Sequence, residues 1–393
     1  MSLDLPRVLP QVERMGVTAA RRARELALRV PEARRALAAT ANLAAEELTR
    51  RLDRAGRDWR GARPSVESPD SAIPASAHPP QLDVIGADGS QIYPDRHAAA
   101  LYFLVNIGSL HLVHGSGEAP QVSSTPRLVF EDRDLYDEFG GLVRAESVQA
   151  ERDIAEMEEL ARRAEAAPAR PSLALLDNGL LLWIALQEKE LGRGPVEAYL
   201  SRYWAAMRRL RKAGSALAGF VDRPRSADVL SLLHLATTPL EAIDAEKLRA
   251  TPFRGLADRA LFAAHLKPDE RSALFVDGSP VNLRFSEQGH QVLFFYLRIG
   301  QDDSIARVEV PGWVAERKEL LDTVHAGILE QCRITGIPYV LVRAHELAVV
   351  TQADRQRLDD LLGAELMRQG LTPRLSRKAE TKRWTSSRRR HAL

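Results

Sequence analysis

The chain has 393 residues, enough for two domains or one elaborated α/β domain, and its 45% hydrophobic and 27% charged content is that of an ordinary folded protein. A single cysteine, Cys332, excludes a disulfide framework and any multi-cysteine zinc site, and favours a reducing, cytoplasmic setting. The formal charge of +2 conceals a split: residues 1–60 carry 13 Arg against 8 acidic residues, residues 374–393 carry 8 Lys and Arg against one Glu, and the middle is −10. Basic ends suit a polyanionic partner, whereas an acidic centre suits cations or is solvated helix surface.

Asp4, Glu13 and five arginines interrupt the first 25 residues, so no secretion signal is expected. The most apolar stretch, Ser172 to Leu186, is broken by Asp177-Asn178-Gly179 and is too short to span a bilayer. Leu5 to about Arg60 has apolar residues at helical spacing and is expected to form an N-terminal arm (1–60) of two or three amphipathic helices. Residues 61–80, rich in Pro and Ser, are expected to be a linker, with the folded domain running from 81 to 373 and a basic tail from 374 to 393.

Leu82 to Asp88 is expected to be a strand ending on a carboxylate before the turn pair Gly89-Ser90. Leu101–Ile107 and Leu110–His114 resemble two strands joined by a Gly108-Ser109 hairpin turn, giving three antiparallel strands with the first. Val143 to Ala166 is a charged helix, and Ser172 to Asp177 a buried strand ending on a second carboxylate. Alternation continues with a helix over 195–213, a strand over 216–221 and a helix over 226–236. Strands are expected at 273–277, 292–298 and 305–310, then a helix from Trp313 to about Ile334, a strand Tyr339–Val342 running into Ala344-His345-Glu346, and a helix over 352–369.

If the two strands that end on Asp88 and Asp177 are neighbours, their carboxylates meet at one edge and repel, and a hard cation such as Mg²⁺ or Mn²⁺ resolves that repulsion. Such ions clamp the attacking and leaving oxygens of a phosphodiester. The competing reading is that Asp-Gly and Asp-Asn-Gly are turn sequences, and Asp277-Gly278-Ser279 is read as a turn in that way. Three antiparallel strands, a helix and a further strand is the layout of a ribonuclease H-like fold, whose site takes a helical carboxylate. Here the helix offers Glu146, Glu151, Glu156, Glu158 and Glu159, and Arg152 with Glu156 is equally the spacing of a surface salt bridge.

These residues resemble the NurA nucleases, nuclease partners of HerA-type DNA-translocating ATPases in end resection. The pieces that carry the resemblance are Ala87-Asp-Gly-Ser90, Arg152-x-x-x-Glu156, Leu176-Asp-Asn-Gly-Leu180, Ala218-Gly-Phe-Val-Asp-Arg-Pro224, Asp258-Arg-Ala-Leu-Phe262, Glu270-Arg-Ser272, Arg307-Val-Glu-Val-Pro311 and Pro338-Tyr-x-Leu-x-x-Ala-His345. The resemblance implies an α/β, ribonuclease H-like mixed sheet flanked by helices, with Asp88, Glu156, Asp177 and His345 holding manganese, or magnesium as the alternative. Asn178 departs from the family's Asp-Gly turn, and Glu151 competes with Glu156 as the helical ligand. The resemblance further implies 5′ to 3′ exonuclease and single-strand endonuclease activity on DNA, a HerA-type hexameric partner and a homodimer.

Arg96, His97, Arg223 and Arg225 are candidate phosphate contacts. In the tail, Lys382, Arg383 and Trp384 with Arg388, Arg389 and Arg390 combine cations and an aromatic in a pattern suited to single-stranded DNA. No nucleophile elbow, dinucleotide fingerprint or Walker loop is present, so translocation would come from a partner. Two rivals remain: a non-catalytic clamp or adaptor with a degenerate metal site, and a metal phosphoesterase acting on small molecules.

Overall fold

The computed structural model describes residues 4–56, 59–137, 140–167, 170–301 and 304–372. The chain begins with helices α1 (Leu5–Ala27), α2 (Val30–Ala41) and α3 (Ala45–Ala55), as the helical spacing predicts, and then forms two short strands, β1 (Arg63–Pro64) and β2 (Ala72–Ile73). Next come β3 (Leu82–Ile92), β4 (Phe103–His114), β5 (Gln121–Val129), α4 (Asp132–Leu135), α5 (Ala145–Ala166) and β6 (Ser172–Asp177). After α6 (Glu188–Leu191) and α7 (Arg193–Lys212) the chain forms β7 (Ala216–Val221), α8 (Asp228–Thr237), α9 (Ala245–Arg249) and α10 (Asp258–His265). It continues through β8 (Arg271–Ser272), β9 (Phe275–Val276), α11 (Pro280–Glu287), β10 (Val292–Arg298) and β11 (Ile305–Pro311). The last helices are α12 (Gly312–Ala315), α13 (Lys318–Cys332), α14 (Tyr339–Ala348) and α15 (Gln352–Arg368).

The chain divides into two compact units. The first holds residues 79–177, 182–215 and those from 339 onward. Its strands lie in the order β6-β3-β4-β5, with β3, β4 and β5 antiparallel in sequence and β6 parallel to β3. This is the ribonuclease H-like layout expected from the order of elements. Because opposite residues of an antiparallel pair share a face, Gly89 with Ile107 and Ala87 with Ser109 face one way, and Asp88 with Gly108 the other. Helix α5 covers the first face, where Val148 packs with Ile107, Val105 and Phe103. Helix α14 covers the second, lying against Gly86 and Gly108.

The second unit holds residues up to 78, 178–181 and 216–338. Strands β7, β11, β10, β9 and β1 are neighbours in that order, and β8 pairs with both β10 and β2. Its apolar core joins Leu37, Leu48 and Leu52 of the N-terminal helices to Leu232, Leu233, Phe262, Phe275, Phe294 and Tyr296. Helix α1 has no buried residue.

Four expectations about the strands are corrected. Asp88 stands inside an 11-residue strand, not at its end, and Gly108-Ser109 lies within β4, not at a hairpin turn. The third antiparallel strand is β5, which the sequence pattern did not reveal because its residues are mostly exposed. Gly86 and Gly108 serve close packing: a Cβ on Gly108 would sit 2.2 Å from the Ala344 carbonyl oxygen, and one on Gly86 2.9 Å from the Val340 backbone. Tyr339–Val342 is the first turn of α14 and not a strand. Its buried residues Val340, Leu341, Ala344 and Ala348 form a helical stripe that the short apolar run disguised. The helix expected over 313–334 is divided into α12 and α13. Among the described residues no helix is long and apolar enough to cross a membrane.

Candidate active site

Asp177 is the last residue of β6, and the parallel register runs from Asp83 beside Ser172 to Ala87 beside Leu176. Ala87 and Leu176 are the last pair of that register, so Asp88 and Asp177 are the next residues of two neighbouring strands, and continuing the register turns both toward the same face. Asn178 then turns the chain with φ of 86°, a left-handed conformation that Asn tolerates better than other residues bearing a Cβ. The departure from the family's glycine therefore keeps the turn while changing the residue.

Asp88 is anchored at both oxygens. Oδ1 accepts the Gly89 backbone N–H at 2.8 Å, and Oδ2 lies 2.7 Å from Nδ1 of His345 in the last turn of α14. The carboxylate is 13% exposed and the imidazole 64%, so the ring links a recessed acid to solvent. With Nδ1–H donated to Asp88, the Nε2 lone pair is the one that can take a proton or bind an ion.

Glu156 approaches from the α5 side at Gly89, where the absence of a side chain makes room: a Cβ there would lie 2.6 Å from Glu156 Oε1. Burial pushes the Glu156 carboxyl well above the usual carboxylate range, Arg152 opposes that shift, and the charges of Asp153, Asp88 and Asp177 add to it. Arg152, one turn earlier, has its Nε 3.2 Å from Glu156 Oε1. Glu151 is engaged elsewhere, with Arg127 at 2.5 Å and Arg202 at 2.7 Å, so among the two competing helix acids Glu156 is the one near Asp88 and Asp177. Glu158 meets Arg202, and Glu159 meets Arg162 and Arg163.

The other expected contacts are not gathered here. Arg96 and His97 are exposed in the loop after β3, where the His97 backbone N–H donates to Asp95 at 2.9 Å. Arg223 and Arg225 are exposed residues of the second unit, after β7, and Arg223 has φ of 45°. Lys382, Arg383, Trp384, Arg388, Arg389 and Arg390 lie outside the described residues.

A family model described as the NurA domain matches residues 82–350. The chain belongs to the NurA family. It is accordingly a deoxyribonuclease, and its catalytic residues are to be sought among those just described. No curated protein matches this NurA sequence. Among solved structures, the NurA nuclease from Sulfolobus solfataricus is 12% identical and aligns over 82% of this chain and 93% of its own, with TM-score 0.49. A NurA structure with manganese is 10% identical over 91% and 98% of the two chains, TM-score 0.44. One bound to dAMP and manganese is 11% identical over 92% and 98%, TM-score 0.41.

The candidate donors of this NurA protein, three carboxylates and an imidazole, have the chemistry of a hard divalent ion, and around buried Glu156 the single charge of Arg152 stands against those of Asp153, Asp88 and Asp177. As the side chains stand, no three His, Cys, Asp or Glu groups among the described residues close on a common point, so ligation requires them to turn inward.

Sequence reasoning assigned no role to a second polar cluster, in the other unit. Arg307 is buried beneath Phe294, its Cζ 3.6 Å from the ring centroid, and its three nitrogens meet Asp228, Asp277 and Glu309 at 2.7, 2.8 and 2.9 Å. Glu309 also accepts the Leu180 N–H at 2.8 Å. The signal was available as two charged residues, Arg307 and Glu309, alternating inside an otherwise apolar strand. Asp277-Gly278-Ser279 does form a turn, with Asp277 accepting from the Ser279 N–H and Ser279 capping α11, yet the same Asp277 belongs to this ion-pair cluster.

Proposed function

We propose that this NurA protein is a Mn²⁺-dependent DNA nuclease, with Mg²⁺ as the alternative ion, that has 5′ to 3′ exonuclease and single-strand endonuclease activity. The observation that supports this reading is the parallel register of β3 and β6, which sets Asp88 and Asp177 side by side with His345 on Asp88 and buried Glu156 beside them. Asp88 and Asp177 would hold the ion or ions, with Glu156 and His345 completing the set. A bound divalent ion supplies Lewis-acid polarisation of the phosphodiester and lowers the pKa of a water at neutral pH. The Gly89 N–H and the His345 ring fix the orientation of Asp88 through its two oxygens. With Nε2 on the ion His345 would be a ligand whose Nδ1–H also holds Asp88; with Nε2 free it would instead take the proton from the attacking water or return one to the departing 3′ oxygen. DNA is the substrate, with Arg96, His97, Arg223, Arg225 and the basic tail as phosphate contacts, and a HerA-type ATPase in the cytoplasm delivers it during end resection to a NurA homodimer.

Digestion of an end-labelled oligonucleotide across a Mn²⁺ titration tests the reading. Asp88→Ala and Asp177→Ala proteins that remain folded and bind DNA should lose activity by several orders of magnitude. Wild-type rates in either variant would refute it and leave the clamp or adaptor as the surviving reading, whereas cleavage of mononucleotides without salt-sensitive DNA binding would favour the small-molecule phosphoesterase.

A further inference from the structure

Arg152 is held on three sides. Its Nε and Nη2 donate to Asp153 Oδ1 at 3.1 and 2.5 Å, its Nη1 donates to Gln91 Oε1 at 3.3 Å, and its Nε lies 3.2 Å from Glu156 Oε1. Gln91 belongs to β3 and the two acids to α5, so the guanidinium ties the strand that carries Asp88 to the helix that carries Glu156. Space for it is built in: a Cβ on Gly89 would approach Arg152 Cγ to 2.6 Å as well as Glu156 Oε1. The side chain is 21% exposed, and four carboxylates, from Asp153, Glu156, Asp88 and Asp177, act on this one helix turn. A flexible surface ion pair needs neither a glycine beneath it nor a neutral amide bracing its far end.

We infer that Arg152 is a positioning residue of the nuclease site, braced by Gln91 and Asp153 so that it holds the Glu156 carboxylate beside Asp88 and Asp177, where it contributes to binding a divalent cation. This rests on the metal-site reading given above. Outer hydrogen bonds to ligating carboxylates commonly change metal affinity by ~10- to 100-fold, and a planar guanidinium fixes orientation in a way a lysine ammonium cannot.

The test is Mn²⁺ binding to the full-length chain in the absence of DNA, followed by titration calorimetry on wild type, Glu156→Gln, Arg152→Gln and Arg152→Lys. Wild type should bind, Glu156→Gln should weaken binding, and Arg152→Gln should weaken it by on the order of tenfold or more. Arg152→Lys keeps the charge without the fork and should recover only part of the loss. Wild-type or tighter binding by Arg152→Gln would overturn the inference and make the arginine a counter-ion that competes with the metal. Wild-type binding by Arg152→Lys would overturn it as well, since charge alone would then suffice; this variant decides the matter if Arg152→Gln does not fold. Failure of wild type to bind Mn²⁺, or an unchanged Glu156→Gln, removes the metal-site reading itself and this inference with it, a result distinct from failure of the Arg152 variants alone.

Discussion

Replacing Gly108 with alanine separates the reading of this residue as a strand glycine from its role in the tertiary structure. Gly108 lies in β4 opposite Asp88, and its φ is not in the left-handed region, so alanine suits the backbone and by local conformational freedom alone should stabilise the strand by roughly 0.5–1 kcal/mol. The packing predicts the opposite. The new Cβ would lie 2.2 Å from the Ala344 carbonyl oxygen, 2.4 Å from the Ala348 nitrogen and 2.7 Å from the Leu347 carbonyl carbon, all backbone atoms of α14, against an ordinary contact of at least 3.4 Å. Helix α14 would have to recede by about 1.2 Å, an overpacking strain that typically costs about 1–3 kcal/mol. His345 rides on that helix, 2.7 Å from Asp88, so the shift also stretches the link between them. A misplacement of about 1 Å at a reacting group can cost on the order of 100-fold in rate. Urea unfolding of the variant should show a lower midpoint with an unchanged slope, and oligonucleotide digestion with Mn²⁺ should slow by about that factor. A midpoint at or above wild type together with a wild-type rate would refute the argument that glycine is there to admit the helix.

Asp258 gives a pH test. Burial, then the charge of Asp228, lifts its pKa from 3.8 to about 7. A carboxyl raised on folding binds its proton more tightly in the native state, so this group's contribution to stability should decline as pH rises from about 4 to about 7. Asp258→Asn should flatten that part of the stability profile, measured by urea melts at several pH values; an unchanged slope counts against the assignment. Deleting residues 374–393 removes eight Lys and Arg and should make the salt dependence of DNA affinity shallower, by about 0.9 in the log–log slope for each phosphate that the tail neutralises. An identical slope in the truncated protein would show that the tail does not hold DNA.

Much of the fold was legible because its signals are local. Helices α2, α3, α5 and α7 have the apolar spacing that builds a buried stripe, and β6, β7, β10 and β11 are short apolar runs whose bounds agree with expectation to within a residue. The misplacement of Asp88 and of the Gly108-Ser109 turn has one cause. Gly89 and Gly108 resemble turn residues to a local reading, and their real neighbours are about 60 to 240 positions away in sequence, on α5 and α14. Asp88 was therefore seen as a strand end, and the apolar run Tyr339–Val342 as a strand, although both belong to the arrangement that brings His345 to Asp88.

Glu156 shows the same division within the candidate site. Sequence placed five glutamates on one helix and could not choose among them, since helical spacing fixes the angle between residues but not which face meets the sheet. Packing separates them: Glu151 turns to Arg127 and Arg202, while Glu156 is buried beside Gly89 under the charges of Asp88 and Asp177.

The sequence by itself determined which candidate side chains are available, the order of most elements and the basic and acidic partition of the chain. Those are properties of residue type and short-range period. The tertiary structure decided which of them meet, because the register of β3 against β6 and the approach of α5 and α14 over unsubstituted glycines depend on contacts between segments far apart in the chain.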